Sequence, residues 1–111
     1  MTLLEKNSSV VVKINDGPPE NSCKPAVDVL FRSVAHVFGD KGIMALVLTG
    51  MGNDGLNGVR TMKRKGCFCI TQSESSCVVY GMPRVIDQAE LSDLSLPLLQ
   101  IAPEICRKFK C

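Results

Sequence analysis

Two short apolar runs, Ile43–Leu48 (IMALVL) and Cys67–Thr71 (CFCIT), flank a glycine-rich loop and one amphipathic stretch. The runs are short enough to read as strands. Between them Leu56, Val59 and Met62 recur at helical spacing, in a segment from about Asp54 to Lys65 that Gly66 ends. Strand, helix and strand at this spacing form a parallel crossover, which is right-handed. This unit sets the class: α/β, with a mostly parallel sheet and flanking helices, three-layered and Rossmann-like. The unbroken apolar character of IMALVL suits a strand buried on both faces.

The other elements follow from similar patterns. Val10–Ile14 is β-branched and reads as a first strand, and Asp16-Gly17-Pro18-Pro19 as a turn. The stretch NSCKPAVDVLFRSVAHVFG reads as a helix, with Pro25 in its first turn and Gly39 as its stop. Its apolar stripe is Val27, Leu30, Phe31, Val34, Ala35 and Phe38. The Ser-rich SESS leads into CVVYGMP, read as a short helix or turn, and Pro83 starts a further helix, PRVIDQAE. From Pro97 onward, Leu98, Ile101, Ala102, Ile105 and Phe109 share one face of a last helix expected to pack on the sheet. About three strands are legible, which is few for a sheet of this class. The chain is therefore expected to be part of a larger domain.

Composition excludes several functions. The 111 residues are 45% hydrophobic and 22% charged, which suits one globular domain or part of one. A net charge of +2 gives no case for a nucleic-acid partner. The basic runs Lys63-Arg64-Lys65 and Arg107-Lys108 with Lys110 fall at helix C-termini, where cations favour the helix dipole. The alternative for them is a weak anion-docking patch. No segment is long and apolar enough to insert in a membrane, and MTLLEKNSS does not read as a signal peptide, so a cytoplasmic location is expected. Of the six cysteines none forms a C-x-x-C pair, and His36 is the only histidine, so no metal site is expected. Cys67 and Cys69 share one strand face as reduced thiols, while Cys111 is expected to be exposed and open to intermolecular oxidation.

The loop LTGMGNDG, Leu48–Gly55, carries the chemistry, at the carboxyl end of a strand where sites of such folds form. Three readings compete. Gly50, Gly52 and Gly55 have the G-x-G-x-x-G spacing of a dinucleotide loop, with Glu74 near the position of a ribose-binding acid. Against it, Asp54 would face the pyrophosphate. A structural reading makes Asp54 the N-cap of the following helix, at a typical gain of ~1 kcal/mol. A catalytic reading has glycines presenting Asp54 to orient a histidine, with backbone N–H groups near an oxyanion. No partner for that role is evident. His36 falls on a polar helix face, and Ser73, Ser75 and Ser76 lie in a polar loop without a nucleophile elbow. Tyr80 and Arg84 flank Gly81-Met82-Pro83, where they could touch a substrate or simply form the turn.

PAVDVLFRSVA, LTGMGNDGLNGVRTMKRKG and ITQSESSCVVYGMPRV, in this order and spacing, closely resemble the catalytic domain of the chemotaxis protein-glutamate methylesterases, the CheB family. The resemblance runs from about Asp16 to near the C-terminus. It implies hydrolysis of glutamate methyl esters, and deamidation of glutamines, on chemoreceptors, through a Ser-His-Asp triad without a cofactor. The family's catalytic aspartate falls on Asp54. Met51, with Gly52 beside it, falls on the loop next to the oxyanion site. Ala26 stands where the family commonly has serine, and Cys23 where a histidine or another polar residue is common.

The resemblance makes residues 1–111 the C-terminal part of such a catalytic domain, without a receiver domain. The family's nucleophilic serine and its histidine belong to the N-terminal half, and no serine here stands in the S-T-G-G context. The chain by itself is thus expected to be inactive, and to self-associate or require that N-terminal half. The implied partner is the cytoplasmic region of a methyl-accepting chemoreceptor. The alternative is a non-enzymatic module that binds the receptor or the other half-domain.

Overall fold

A computed structural model describes residues 1–39 and 41–110, which leaves Cys111 outside the described residues. The chain opens with an antiparallel hairpin, β1 (Thr2–Lys6) and β2 (Ser9–Lys13). Asn7 and Ser8 turn it at φ of 52° and 67°, the two-residue turn whose twist matches its strands. The β-branched run from Val10 is therefore an exposed hairpin arm, and Ile14 falls outside it. Its partner Thr2–Lys6 lacks the β-branched density that marks a strand in sequence. The Leu3 N–H donates to Ser33 Oγ (2.8 Å), which ties this hairpin to the first helix.

Helix α1 (Val27–Phe38) starts later than the pattern implies. Asn21 and Ser22 hold φ of 54° and 61°, and an antiparallel bridge joins Glu20 to Cys23. The stretch 20–23 is thus a turn, with Pro25 ahead of the helix. Then follow β3 (Met44–Val47), α2 (Leu56–Lys63), β4 (Phe68–Gln72), α3 (Met82–Gln88), β5 (Leu94–Leu96) and α4 (Leu98–Phe109). Glu74–Ser76 forms a single 3-10 turn, so the serines there shape a loop.

The sheet is parallel, in order β3-β4-β5, with Ala45 opposite Cys69 and Ile70 opposite Leu94. Three is the strand number that the sequence implies, but the third member is β5 and not the run at Val10. A three-residue LSL between Asp93 and Pro97 carries no period that could announce it.

Alternation along β4 places helices on both faces. Cys69 joins Ala35 of α1, Ala45 and Val47 of β3, Val59 and Met62 of α2, and Ile86 of α3 in one core. Phe68, the next residue and so on the other face, lies under Lys108 of α4, whose Nζ is 3.9 Å from the ring centre. Burial of Val59, Met62 and Ile86 stabilises this core by about 1.5–3 kcal/mol per side chain. Lys63 at the end of α2 pairs with Asp93 (2.7 Å), which also accepts the Cys69 N–H (2.7 Å). Burial pushes the thiol of Cys69 up to about 12 and that of Cys67 in the same direction, so both act as small hydrophobes.

Two burial expectations fail. β3 is not covered on both faces, since Leu46 and Leu48 are 36% and 39% exposed. Among the described residues it is an edge strand, paired with β4 alone. On α4 only Ile101 is buried, while Leu98, Ala102 and Phe109 stay exposed.

Candidate active site

The loop 48–55 leaves the carboxyl end of β3, and two of its glycines turn it at positive φ, Gly52 at 93° and Gly55 at 101°. A side chain at either would be strained. The loop ends by placing Asp54 against the start of α1, where it is 6% exposed. Asp54 Oδ2 accepts the N–H of Val27 (2.7 Å), and Oδ1 accepts the N–H of Asp28 (2.9 Å). Asp54 thus caps α1, whose own N-cap residue, Ala26, has no polar side chain. It does not cap α2, as the structural reading of the loop requires, because Gly55 holds that position without a side-chain bond.

The cap of α2 comes from the opposite direction. Asp28, fully buried in the first turn of α1, accepts the N–H groups of Gly55 (3.0 Å) and Gly58 (2.7 Å) on its Oδ1. Each helix therefore begins on the acid that belongs to the other. Asn21 joins the two acids, its Nδ2 donating to Asp28 Oδ2 (2.7 Å) and to Asp54 Oδ1 (3.0 Å). A carboxylate at a helix N-terminus gains from charge-assisted bonds and from the helix dipole. For Asp54, burial raises the carboxyl pKa, but the N–H groups of Asp28 and Val27 and the Asn21 amide outweigh it, with a smaller contribution from the nearby Gly55 N–H, whose own hydrogen bond goes to Asp28. The net result lies below the ordinary carboxylate value, so Asp54 is an anion at neutral pH.

This arrangement decides against the dinucleotide reading. A pyrophosphate would need the first N–H groups of α2. Those of Gly55 and Gly58 already serve Asp28, and the buried Asp54 anion stands beside them. The hydrogen bonds made to Asp54 do not use all of its accepting capacity. A carboxylate has about four acceptor positions. Three are in use here, two on Oδ1 and one on Oδ2.

A second loop braces the first. The Gly50 N–H donates to the Val79 carbonyl (3.0 Å), and the N–H groups of Gly81 (3.1 Å) and Met82 (2.9 Å) donate to the Gly50 carbonyl. Thr49 Oγ1 accepts the Val79 N–H (2.8 Å). A Cβ on Gly81 would meet that Gly50 oxygen at 2.5 Å, so only glycine allows the two backbones to close. Tyr80 is held by its hydroxyl on Asp87 Oδ2 (2.5 Å), while Asp87 Oδ1 takes the hydroxyls of Thr71 (2.5 Å) and Ser92 (2.7 Å). Its bond to Asp87, aided by burial and by that charge, pushes the Tyr80 phenol up to about 12. An open groove lies beside this brace, lined by Gly52, Asn53, Tyr80, Gly81, Arg84 and Val85. Met51, 82% exposed, stands at the loop tip.

The residues singled out in the sequence divide into two groups. Met51, Gly52 and Asp54 share one loop, with Tyr80 and Arg84 beside it. His36 lies exposed in the last turn of α1, about 14 Å along the helix axis from the N-terminus where Asp54 sits. It is not a partner for Asp54. Asn21 and Asp28 carry no signal of their role in the sequence. An acid in a first turn reads as a complement to its own helix dipole, and the bonds that matter here reach Gly55 and Gly58, 27 and 30 residues away.

The chain is similar to known proteins over most of its length. A family model described as CheB methylesterase matches residues 1–105, beginning upstream of the Asp16 where the recognisable motifs start. The chain is 49% identical over 107 residues to a protein-glutamate methylesterase/protein-glutamine glutaminase of Anaeromyxobacter dehalogenans, covering 96% of this chain and 30% of that protein. It is 48% identical over 100 residues to the similarly named protein of Desulfotalea psychrophila, covering 90% of this chain and 27% of that one. The crystal structure of the Thermotoga maritima CheB methylesterase catalytic domain superposes with a TM-score of 0.90 at 30% identity. It matches 96% of this chain and 56% of its own length. The chain thus spans under a third of these two curated relatives.

Proposed function

Since the chain belongs to the CheB methylesterase family, we propose that it is the C-terminal, aspartate-bearing part of a protein-glutamate methylesterase/glutaminase catalytic domain. In this reading Asp54 is the acid of a Ser-His-Asp triad. Its role is to orient a histidine supplied by the rest of the domain and to stabilise the imidazolium that forms when the serine is deprotonated. Met51 and Gly52 border the site of the oxyanion, with Gly52 allowing backbone N–H groups to approach it. The substrate is a methylated glutamate, or a glutamine, on the cytoplasmic region of a chemoreceptor, and the reaction takes place in the cytoplasm without a cofactor.

One observation carries the proposal: a buried carboxylate in the loop that follows β3, held by three hydrogen bonds with one acceptor position left. The 111 residues by themselves hold neither the family's serine context nor a histidine near Asp54. A triad acts as a unit, so this chain alone is expected to release no methanol from a methylated receptor. Mixed with the N-terminal part of the catalytic domain, it should restore hydrolysis, and Asp54→Ala should lower kcat by about 10³–10⁴-fold. Equal rates with Asp54 and Asp54→Ala would remove the proposal.

The exposed edge of β3 favours a second role for the same chain, docking of that N-terminal half. A purely binding module would keep this docking and show no gain in hydrolysis.

A further inference from the structure

We infer that Asn21 and Asp28 are positioning residues for Asp54, acting as one unit that fixes the rotation of its carboxylate and so the direction of its open acceptor position. The inference rests on the triad role of Asp54 for its consequence in catalysis, but its geometry stands on the chain itself.

A carboxylate capping a helix by two N–H groups is placed, yet it can still rock about its Cβ–Cγ bond. The third donor settles this. Asn21 Nδ2 holds Oδ1 of Asp54 at 3.0 Å while its second hydrogen reaches Oδ2 of Asp28 at 2.7 Å. Asp28 in turn is clamped by the N–H groups of Gly55 and Gly58. The segment that carries Asn21 is itself fastened, since Glu20 makes a two-pronged pair with Arg32 of α1 (2.6 and 2.7 Å). Oδ1 of Asp54 is thereby saturated, and only Oδ2, with the single Val27 N–H, faces a further donor. An exposed asparagine whose one nitrogen joins two buried acids is an odd choice for stability alone. It is an apt one for aiming a carboxylate.

The substitutions separate aiming from folding. Asn21→Ala removes an exposed side chain and leaves both caps in place. Asp28→Asn keeps an oxygen for Gly55 and Gly58 but turns an NH2 toward the NH2 of Asn21, which drives the two apart. The exchange Asn21→Asp with Asp28→Asn restores the bond between positions 21 and 28, yet sets a second anion against Asp54. The bond between positions 21 and 28 is therefore repaired by the exchange, and the hold on Asp54 is not.

The first measurement is made on the 111-residue chain, by following the Asp54 carboxyl carbon by NMR as pH is changed. Asn21→Ala and the double exchange should raise its titration midpoint, while the Gly55 and Gly58 amides stay protected from exchange. The second uses the chain complemented with the N-terminal part of the domain. Asn21→Ala should lower kcat by about 10-fold or more with KM within about twofold, since misaiming costs rate rather than binding. The double exchange should fare no better. An unchanged Asp54 titration in Asn21→Ala, or full activity in the double exchange, would overturn the inference. Absence of activity with the unsubstituted chain would count against the triad role instead, and the titration would still decide the positioning.

Discussion

Asp54 couples charge to fold at the level of a single residue. Its folded carboxyl titrates below the ordinary value, because the donors at the start of α1 outweigh the cost of its burial. A carboxyl lowered by folding stabilises the native state fully above its unfolded value, and that stabilisation is lost as pH falls through the folded value. Asp54→Asn should therefore be less stable than the unsubstituted chain at neutral pH, and the gap in urea midpoints should close as the solution is taken below about pH 4. A gap that stays constant would place the native charge of Asp54 elsewhere. Tyr80 offers a second test, because it is the only tyrosine. Asp87→Asn removes the anion that disfavours the phenolate. The ultraviolet titration of Tyr80 should then fall from about 12 toward its ordinary value. Of these residues, Asp54 is legible in the sequence because glycines on both sides single it out. Asn21, Asp28 and Asp87 are not, because each acts on groups that only the tertiary fold brings near.

The crossing of α1 over α2 sets the geometry of the site among the elements. Gly58, inside α2, lies directly against α1: a Cβ there would meet Phe31 Cβ at 2.5 Å and Asp28 Oδ1 at 3.2 Å. In an isolated helix Gly→Ala gains up to about 1 kcal/mol. Here the clash with a packed helix outweighs that gain, and Gly58→Ala should destabilise the chain by about 1–3 kcal/mol in denaturant unfolding. The same change should lower the complemented esterase, because Asp28 moves with α1. Helices α1, α2 and α4 are legible from their apolar periods and α3 from Pro83, although the starts of α1 and α2 shift, α1 where the 20–23 turn overrides the pattern. The crossover β3-α2-β4 was legible as well. β5 and β1 were not, since a strand of three residues, or one ended by Asn-Ser rather than Asn-Gly, gives little local signal. Burial of α4 was overestimated because a periodic stripe reports which face is apolar and not how much of it finds a cover.

For the whole molecule, the sheet has one conspicuous property. Its order places β3 at an edge, with Leu46 and Leu48 exposed beside unpaired backbone. Edges of this kind recruit another strand. The 111-residue chain should therefore sediment as concentration-dependent oligomers at micromolar concentration, and Leu46→Lys should shift it toward monomer. Addition of the N-terminal part of the domain should have the same effect. A stable compact monomer of the unsubstituted chain would mean that this edge is protected in some other way. The class of the sheet and the direction of its strands were legible from the apolar runs. Which strand lies at the rim was not, because IMALVL is as apolar as a central strand.

The reciprocal grip of Asp28 and Asp54 also acts as a quality check. Neither helix start is complete until the other has docked, so the carboxylate reaches its working position only in a correctly assembled pair. A copy in which α1 and α2 have not docked leaves both helix starts without their carboxylates.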